Sequence, residues 1–290
     1  MRFHYAETMT PIVNYIPLAQ AAEANGYTGF TISDSLIYPQ ASSTEYSYTE
    51  DGGREFLENK PFIESFILAT AIGAVTKTLE MSTNVVKLPV RPPLYSAKLA
   101  ASIAALTNNR FNFGVGLSVW PEDYQVMGVD YAKRGKRFDE CIAIVKGLCT
   151  GQYFEFHGEF YDLPSVKINP VPSKPLPILI GGHSDAALQR AAKHDGWMYA
   201  GGRPGELAEH LEKLKGFREA AGTTSKPFRI FATDMGALGS DSVKRHEDLG
   251  ITDMVVVFRS VYAVEEDRQP LADKIDDLKR FADEVIAKTV

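Results

Sequence analysis

The residues equipped for chemistry stand at the C-terminal ends of short β-branched or aromatic runs. They are Glu7, then Ser33, Asp34 and Ser35, then Asn84 and Lys87, then Ser118 and Trp120. Further along come Gly181, Gly182, His183 and Ser184, then Gly201, Gly202 and Arg203, and finally Asp234 and Arg259. This set holds no paired carboxylates, no G-x-S-x-G elbow and no metal-ligand spacing, so a protein nucleophile is poorly supported and no metal site is expected. What it does offer is backbone. LIGGHSDAALQRAA puts two glycines and a Ser/Asp helix start directly after an apolar run, where N–H groups and a helix dipole can meet a phosphate. YAGGRPGELAEHL repeats the device, with Arg203 at hand. Either Gly-Gly alone also reads as an ordinary strand-to-helix turn. A phosphate-bearing cofactor suits the absence of nucleophiles, because the cofactor then supplies the reactive atom and the protein supplies orientation.

Something must hold these residues on one face. Eight strand-like runs occupy residues 2–6, 27–34, 79–88, 110–117, 176–182, 195–202, 228–234 and 252–258, separated by stretches with apolar spacing of three and four. Residues 16–26, 94–107, 134–151 and 272–288 read as helices, the first stopped by Gly26. Eight strand-helix repeats predict an α/β fold, a (β/α)8 TIM-like barrel, with residues 1–290 as a single domain. An open doubly wound sheet is the alternative; no G-x-G-x-x-G follows the first strand, and the GVG at 114–116 lacks a third glycine. Two insertions, at about 35–61 and 151–175, are too long to be plain connectors. The first follows a strand and is a lid candidate, in which Arg54, Glu55 and Lys60 are either a clamp or solvated charge. The second follows a helix and reads as packing at the far face or rim.

Composition narrows the class. The 290 residues are 44% hydrophobic, 23% charged and 11% aromatic, which excludes disorder and coiled coil. Lys+Arg 31 against Asp+Glu 37 gives −6, so neither nucleic acid nor an anionic membrane surface is an expected partner. The longest apolar stretch, residues 66–75, is about half a bilayer span, and the expectation is a cytoplasmic protein. Cys141 and Cys149 stand eight residues apart in a helical segment, ~12 Å of rise, too far to bridge.

Three stretches together resemble the luciferase-like monooxygenase superfamily: GVGLSVWPEDYQVMGVDYAKRGKRFDECIAIVKGLCTG, EFHGEFYDLP, and PILIGGHSDAALQRAAKHDGW. Within it the chain is most similar to the branch using the deazaflavin coenzyme F420, over roughly residues 1–220. The resemblance implies a TIM-like barrel with a flavin or deazaflavin ring at the strand C-terminal face. Residue by residue, Asp34 matches the acidic group contacting the deazaflavin, and Asn84-Val85 matches a non-prolyl cis peptide behind the ring. Gly181, Gly182 and His183 match the turn holding the cofactor phosphate, and Ser118 matches a small residue beside the ring or its tail; Gly201 and Gly202 stay cofactor-binding candidates on their own Gly-Gly pattern. Trp120 and Arg203 are then candidates for the substrate pocket. The chain departs from the pattern at Ser35, where many relatives carry histidine, and at Val119, where a sugar-phosphate-oxidising branch has glutamate. His157 falls in a family hairpin, and the basic residues Lys133, Arg134, Lys136 and Arg137 in a helix start expected to pair with Asp139, Glu140 or neighbouring carboxylates.

The expected activity is hydride transfer between coenzyme F420 and a small organic substrate, with Asp34, Glu7 and His183 as groups able to relay a proton. A reduced-FMN monooxygenase using O₂ is the alternative, followed by a non-catalytic flavin-binding barrel. A phosphate-binding aldolase or isomerase would need Lys87. The family commonly dimerises through helices early in the barrel, so a homodimer is expected, with the apolar segment 62–75 either its face or a core helix.

Overall fold

The structure, a computed structural model, describes residues 1–46, 49, 51–202, 205–234 and 239–289. Strand β1, Arg2–Ala6, sets the plan by alternation: Phe3 and Tyr5 join the core under the helices, while His4 and Ala6 face inward. Around it stand β2 (Gly29–Ile32), β3 (Glu80–Thr83), its short continuation β4 (Val86–Lys87), and β5 (Phe111–Gly116). Strands β6 (Phe154–His157) and β7 (Asp162–Val166) form a separate antiparallel hairpin. The barrel resumes with β8 (Ile178–Gly181), β9 (Gly196–Tyr199), β10 (Arg229–Asp234) and β11 (Asp253–Val256). All barrel pairings are parallel, in the order β3-β2-β1-β11-β10-β9-β8-β5, and β5 returns to β3 so that the barrel closes. Among the described residues this is the expected (β/α)8 fold: each expected run contains its strand, the third divided at a cis Asn84-Val85 peptide.

Helices cover the outside. They are α1 (Tyr15–Ala24), α2 (Ser65–Val75), α3 (Pro93–Leu106), the short α4 (Pro121–Val126), α5 (Arg134–Leu148), α6 (Asp185–Ala191), α7 (Glu206–Ala220), α8 (Ser240–Asp248) and α9 (Leu271–Phe281). Helix α2 starts at Glu64, whose carboxylate accepts the N–H groups of Phe66 and Ile67 at 2.8 and 3.1 Å. It buries Phe66, Leu68, Ala69 and Ile72 and leaves Ile67 and Val75 exposed, so it is a core helix with an apolar outer edge. The expected terminal helix is α9 followed by a π turn at Ala282–Ile286. No helix among the described residues is long and apolar enough to cross a membrane.

The 151–175 insertion folds back along α5 and supplies the carboxylate that the lysines of the basic cluster meet, in place of Asp139 or Glu140. Lys133 and Lys136 meet Glu159 on the hairpin, while Arg134 and Arg137 lie over the rings of Tyr131 and Phe160. Asp139 instead holds Arg190, and Glu140 accepts backbone N–H groups from residues 159, 160 and 161. The hairpin supplies the partners because its turn lies against the first half of α5. Within it, His157 Nδ1 sits 2.5 Å from Asp162. Both thiols are free, and burial pushes each up to about 11.

Candidate active site

The barrel interior is layered by the same inward alternation. At the N-terminal end a polar layer closes it: Asp253 accepts from His4 Nε2 at 2.7 Å and from Arg229, which also holds Glu80 at 3.0 Å and Asn112 at 3.0 Å. Burial raises the Asp253 carboxyl, but its hydrogen bonds with His4 and Arg229 outweigh that and hold it well below the ordinary range. Above lies an apolar plug of Leu179, Met198, Phe231 and Val255. One inward position further along each strand, the side chains shrink: Leu179 gives way to Gly181, Met198 to Ala200, Phe231 to Thr233. Where many barrels continue a filled core, this one opens.

The result is a cavity of about 220 Å³, or about 1210 Å³ with its open mouth, at the strand C-termini. Ala6, Thr31, Ser33, Ala200 and Thr233 line its base. Val85 stands in its wall because two facing strands carry no side chain there. A Cβ on Gly116 would lie 2.6 Å from Val85 Cγ2, and one on Gly181 would lie 2.8 and 2.9 Å from its two γ carbons. Gly182 turns the chain out of β8 at φ +111°, which a side chain rarely adopts, and Trp197 Nε1 fixes that turn by donating to its carbonyl at 2.9 Å.

The polar edge of the cavity is built on Asp34. Its carboxylate accepts both Arg91 guanidinium nitrogens at 2.7 and 2.9 Å, Ser65 Oγ at 2.8 Å and the Lys87 N–H at 3.1 Å. Four donors fix its orientation, and its side chain is 1% exposed. Lys87 also lines the cavity and sends its ammonium to the buried Asp123 at 2.7 Å; Ser118 Oγ donates to the same carboxylate. The cavity also has an aromatic wall. Tyr46 stacks on Trp120 at 5.7 Å, and Phe56 meets Tyr46 at 5.3 Å and Tyr262 at 5.2 Å edge-on. Tyr46 and Phe56 belong to the 35–61 insertion, so part of that segment covers the cavity mouth as a lid would. Its Arg54 lies over Tyr38 and Trp120 and donates to the carbonyls of Pro39 and Gln40. Lys60 bonds the carbonyls of Val264 and Glu265.

The structure thus brings Asp34, Asn84, Val85, Trp120, Gly181 and Gly182 to one cavity. It does not bring Glu7, which lies on the outer face with Tyr5 and binds Tyr5 Oη at 2.5 Å, Lys274 at 3.1 Å and Arg259 at 3.1 Å. Ser118 sits behind the wall on Asp123. Gly201 and Gly202 lie beyond Ala200, which takes the lining position. His183 points away, stacked on Tyr199 at 4.6 Å, and burial pushes it down to about 4. Arg203 lies outside the described residues. Sequence reasoning missed Arg91, Asp123, Phe56 and Tyr262; the shrinking inward positions of β8, β9 and β10 were the available signal for the cavity itself.

Comparisons with known proteins agree with this geometry. The chain is 57% identical over 288 residues to an uncharacterised protein, Rv0940c, of Mycobacterium tuberculosis, covering 99% of this chain and 100% of that one. The fold matches monooxygenase RslO1 from Streptomyces bottropensis with TM-score 0.76 at 15% identity, covering 100% of both chains. It also matches the coenzyme F420 dependent tetrahydromethanopterin reductase from Methanopyrus kandleri with TM-score 0.75 at 12% identity, covering 99% of both. A luciferase-like monooxygenase family model matches residues 3–283, and the chain belongs to that family and is an enzyme of the oxidoreductase class.

Proposed function

We propose that the protein transfers a hydride between the deazaflavin coenzyme F420 and a small organic substrate in the cavity at the strand C-termini. The observation that carries this reading is the layer of small inward residues, which leaves an open space lined by an oriented carboxylate at Asp34 and by aromatic rings. The cradle suits a flat ring: Val85 offers a smooth apolar face, and neither Gly181 nor Gly116 projects beside it. When bound, the deazaflavin supplies two-electron hydride chemistry, which needs no protein nucleophile.

The chain's own residues then position and enclose. Asp34, held by Arg91 and Ser65, fixes the polar edge against which the ring lies. Lys87, braced by Asp123, places a cation on the same wall. Tyr46, Phe56, Trp120 and Tyr262 form the apolar side on which a substrate packs and from which water is excluded. Of the three groups nominated to relay a proton, Asp34 is the one at the cavity. A second reading, oxygen insertion with reduced FMN and O₂, draws support from the fold likeness to monooxygenase RslO1 and from the aromatic enclosure. Exposed Ile67 on α2 with Tyr95 and Leu106 on α3 supports a homodimer, which sedimentation equilibrium tests.

Separate fluorescence titrations of the purified protein with F420 and with FMN distinguish the readings. The proposal expects saturable quenching by F420; tight binding of FMN alone overturns the deazaflavin assignment.

A further inference from the structure

Behind the cavity wall, one side-chain cluster gathers the donor types that transition metals prefer. His183, at the head of the turn after β8, meets Glu206 and His210 of α7, and one ligand atom from each lies within 4.8 Å of the others. Glu206 and His210 are four residues apart, so they share one helix face. Tetrahedral ligation at ~2.0–2.2 Å per bond sets ligand atoms ~3.4 Å apart, so closing on an ion needs a contraction of at most ~1.4 Å between any two of them.

A separate observation points the same way. His210 Nδ1 lies 2.7 Å from the backbone carbonyl of Glu206. A carbonyl only accepts, so Nδ1 carries a hydrogen and Nε2 is the ring atom left to ligate, which is the outer-shell arrangement of metal-ligating histidines. The ring planes are set as well: Trp197 stacks on His210 at 6.0 Å and 8°, and Tyr199 stacks on His183 at 4.6 Å and 20°. The Glu206 carboxylate packs over bare backbone at Gly202, where a Cβ would stand 2.4 Å from Oε2.

Charge selects the class of ligand. With both imidazoles in the neutral, ligating form, the three side chains carry one negative charge and favour a cation over a phosphate. Two nitrogens and a carboxylate suit zinc and its neighbours better than magnesium or calcium. Three protein ligands leave a fourth position for water or an incoming anion. We infer that His183, Glu206 and His210 form a zinc-class site that ties the turn after β8 to α7 beside the cavity. Its ligands do not line that cavity, so the site stands whichever redox cofactor the cavity takes.

The whole chain, freed of metal with a chelator, is titrated with Zn²⁺ against a chromophoric competitor and separately with Co²⁺. The expected result is one saturable equivalent of Zn²⁺ and the intense visible bands of four-coordinate Co²⁺. Losing even an outer-shell partner costs ~10–100-fold in affinity, so His210→Gln and Glu206→Gln should each weaken uptake by at least ~100-fold. Asp185→Asn, which breaks only a nearby pair with Lys213, should leave uptake unchanged, and thermal melts verify that each variant is folded. A wild-type chain that takes up no saturable equivalent, or that leaves Co²⁺ with the weak spectrum of the aquo ion, overturns the inference. So does wild-type affinity in both the His210 and Glu206 variants.

Discussion

Adding one methyl group at Gly181 tests how the cavity is held open. The new Cβ would stand 2.8 and 2.9 Å from Val85 Cγ1 and Cγ2 and 3.4 Å from its Cβ, where ordinary contact begins at 3.4 Å. Val85 therefore has to move by roughly half an ångström or more. Its branched side chain has little freedom about χ1, and on another side it packs over the bare backbone of Gly116, where even a Cβ would lie 2.6 Å from Cγ2. The remaining direction is into the cavity. Overpacking of this kind costs about 1–3 kcal/mol, and for a chain of this size each kcal/mol lowers Tm by about 2–4 °C. Gly181→Ala should thus melt about 2–12 °C lower and bind cofactor at least ~10-fold more weakly, the affinity loss matching about 1.4 kcal/mol of intruded volume. Val85→Ala removes both γ carbons, so the double variant should recover stability and binding, with a coupling of about 1 kcal/mol or more in a double-mutant cycle. Denaturant melts and cofactor titrations on the four proteins give the answer. Unchanged binding in Gly181→Ala, or no recovery in the double variant, refutes the account of the cradle.

Three other outcomes follow from the same structure. Asp34→Asn removes the carboxylate that compensates a nearly buried Arg91, which keeps the Lys87 carbonyl at 3.3 Å and the half-exposed Glu64 carboxylate at 3.6 Å, so it should destabilise by about 3 kcal/mol in urea melts and abolish cofactor binding. Lys87→Met strands Asp123 in the wall and should cost about 3 kcal/mol, most of it returned in Lys87→Met/Asp123→Asn, which melts of the two variants would reveal. His194 is pushed down to about 4, chiefly by burial, while in the unfolded chain it titrates near ~6.5. Between these values the unfolded chain binds more protons, so stability should fall as pH drops from about 6.5 to 4, and His194→Gln should flatten the slope in calorimetric scans.

Much of the scaffold was legible because closed parallel strands need apolar runs ended by Gly, Asp or Pro, and such runs stand out in 79–88 or 252–258. Alternation also carried information that a list of strand ends ignored. Glu7 follows Phe3 and Tyr5 at a spacing of two, which puts it on the outer face, where it joins Lys274 and Arg259. Asp34 was visible as the acid at a strand end, but its partner Arg91 was not, since the link forms only when the chain turns back after β4. Phe56, Trp120 and Tyr262 meet through closure of three different loops, so no local spacing announces the aromatic wall. The His183, Glu206 and His210 cluster escaped for a similar reason: the E-x-x-x-H pair is local, but the third ligand comes from the preceding strand-helix unit.

Crystals of the protein grown with F420 address the main claim most directly. The account predicts ring density in the cavity above Leu179 and Phe231, one face against Val85 and an edge within hydrogen-bond distance of Asp34. Density for the ring at any other place on the protein, with Val85 and Asp34 untouched, would contradict it.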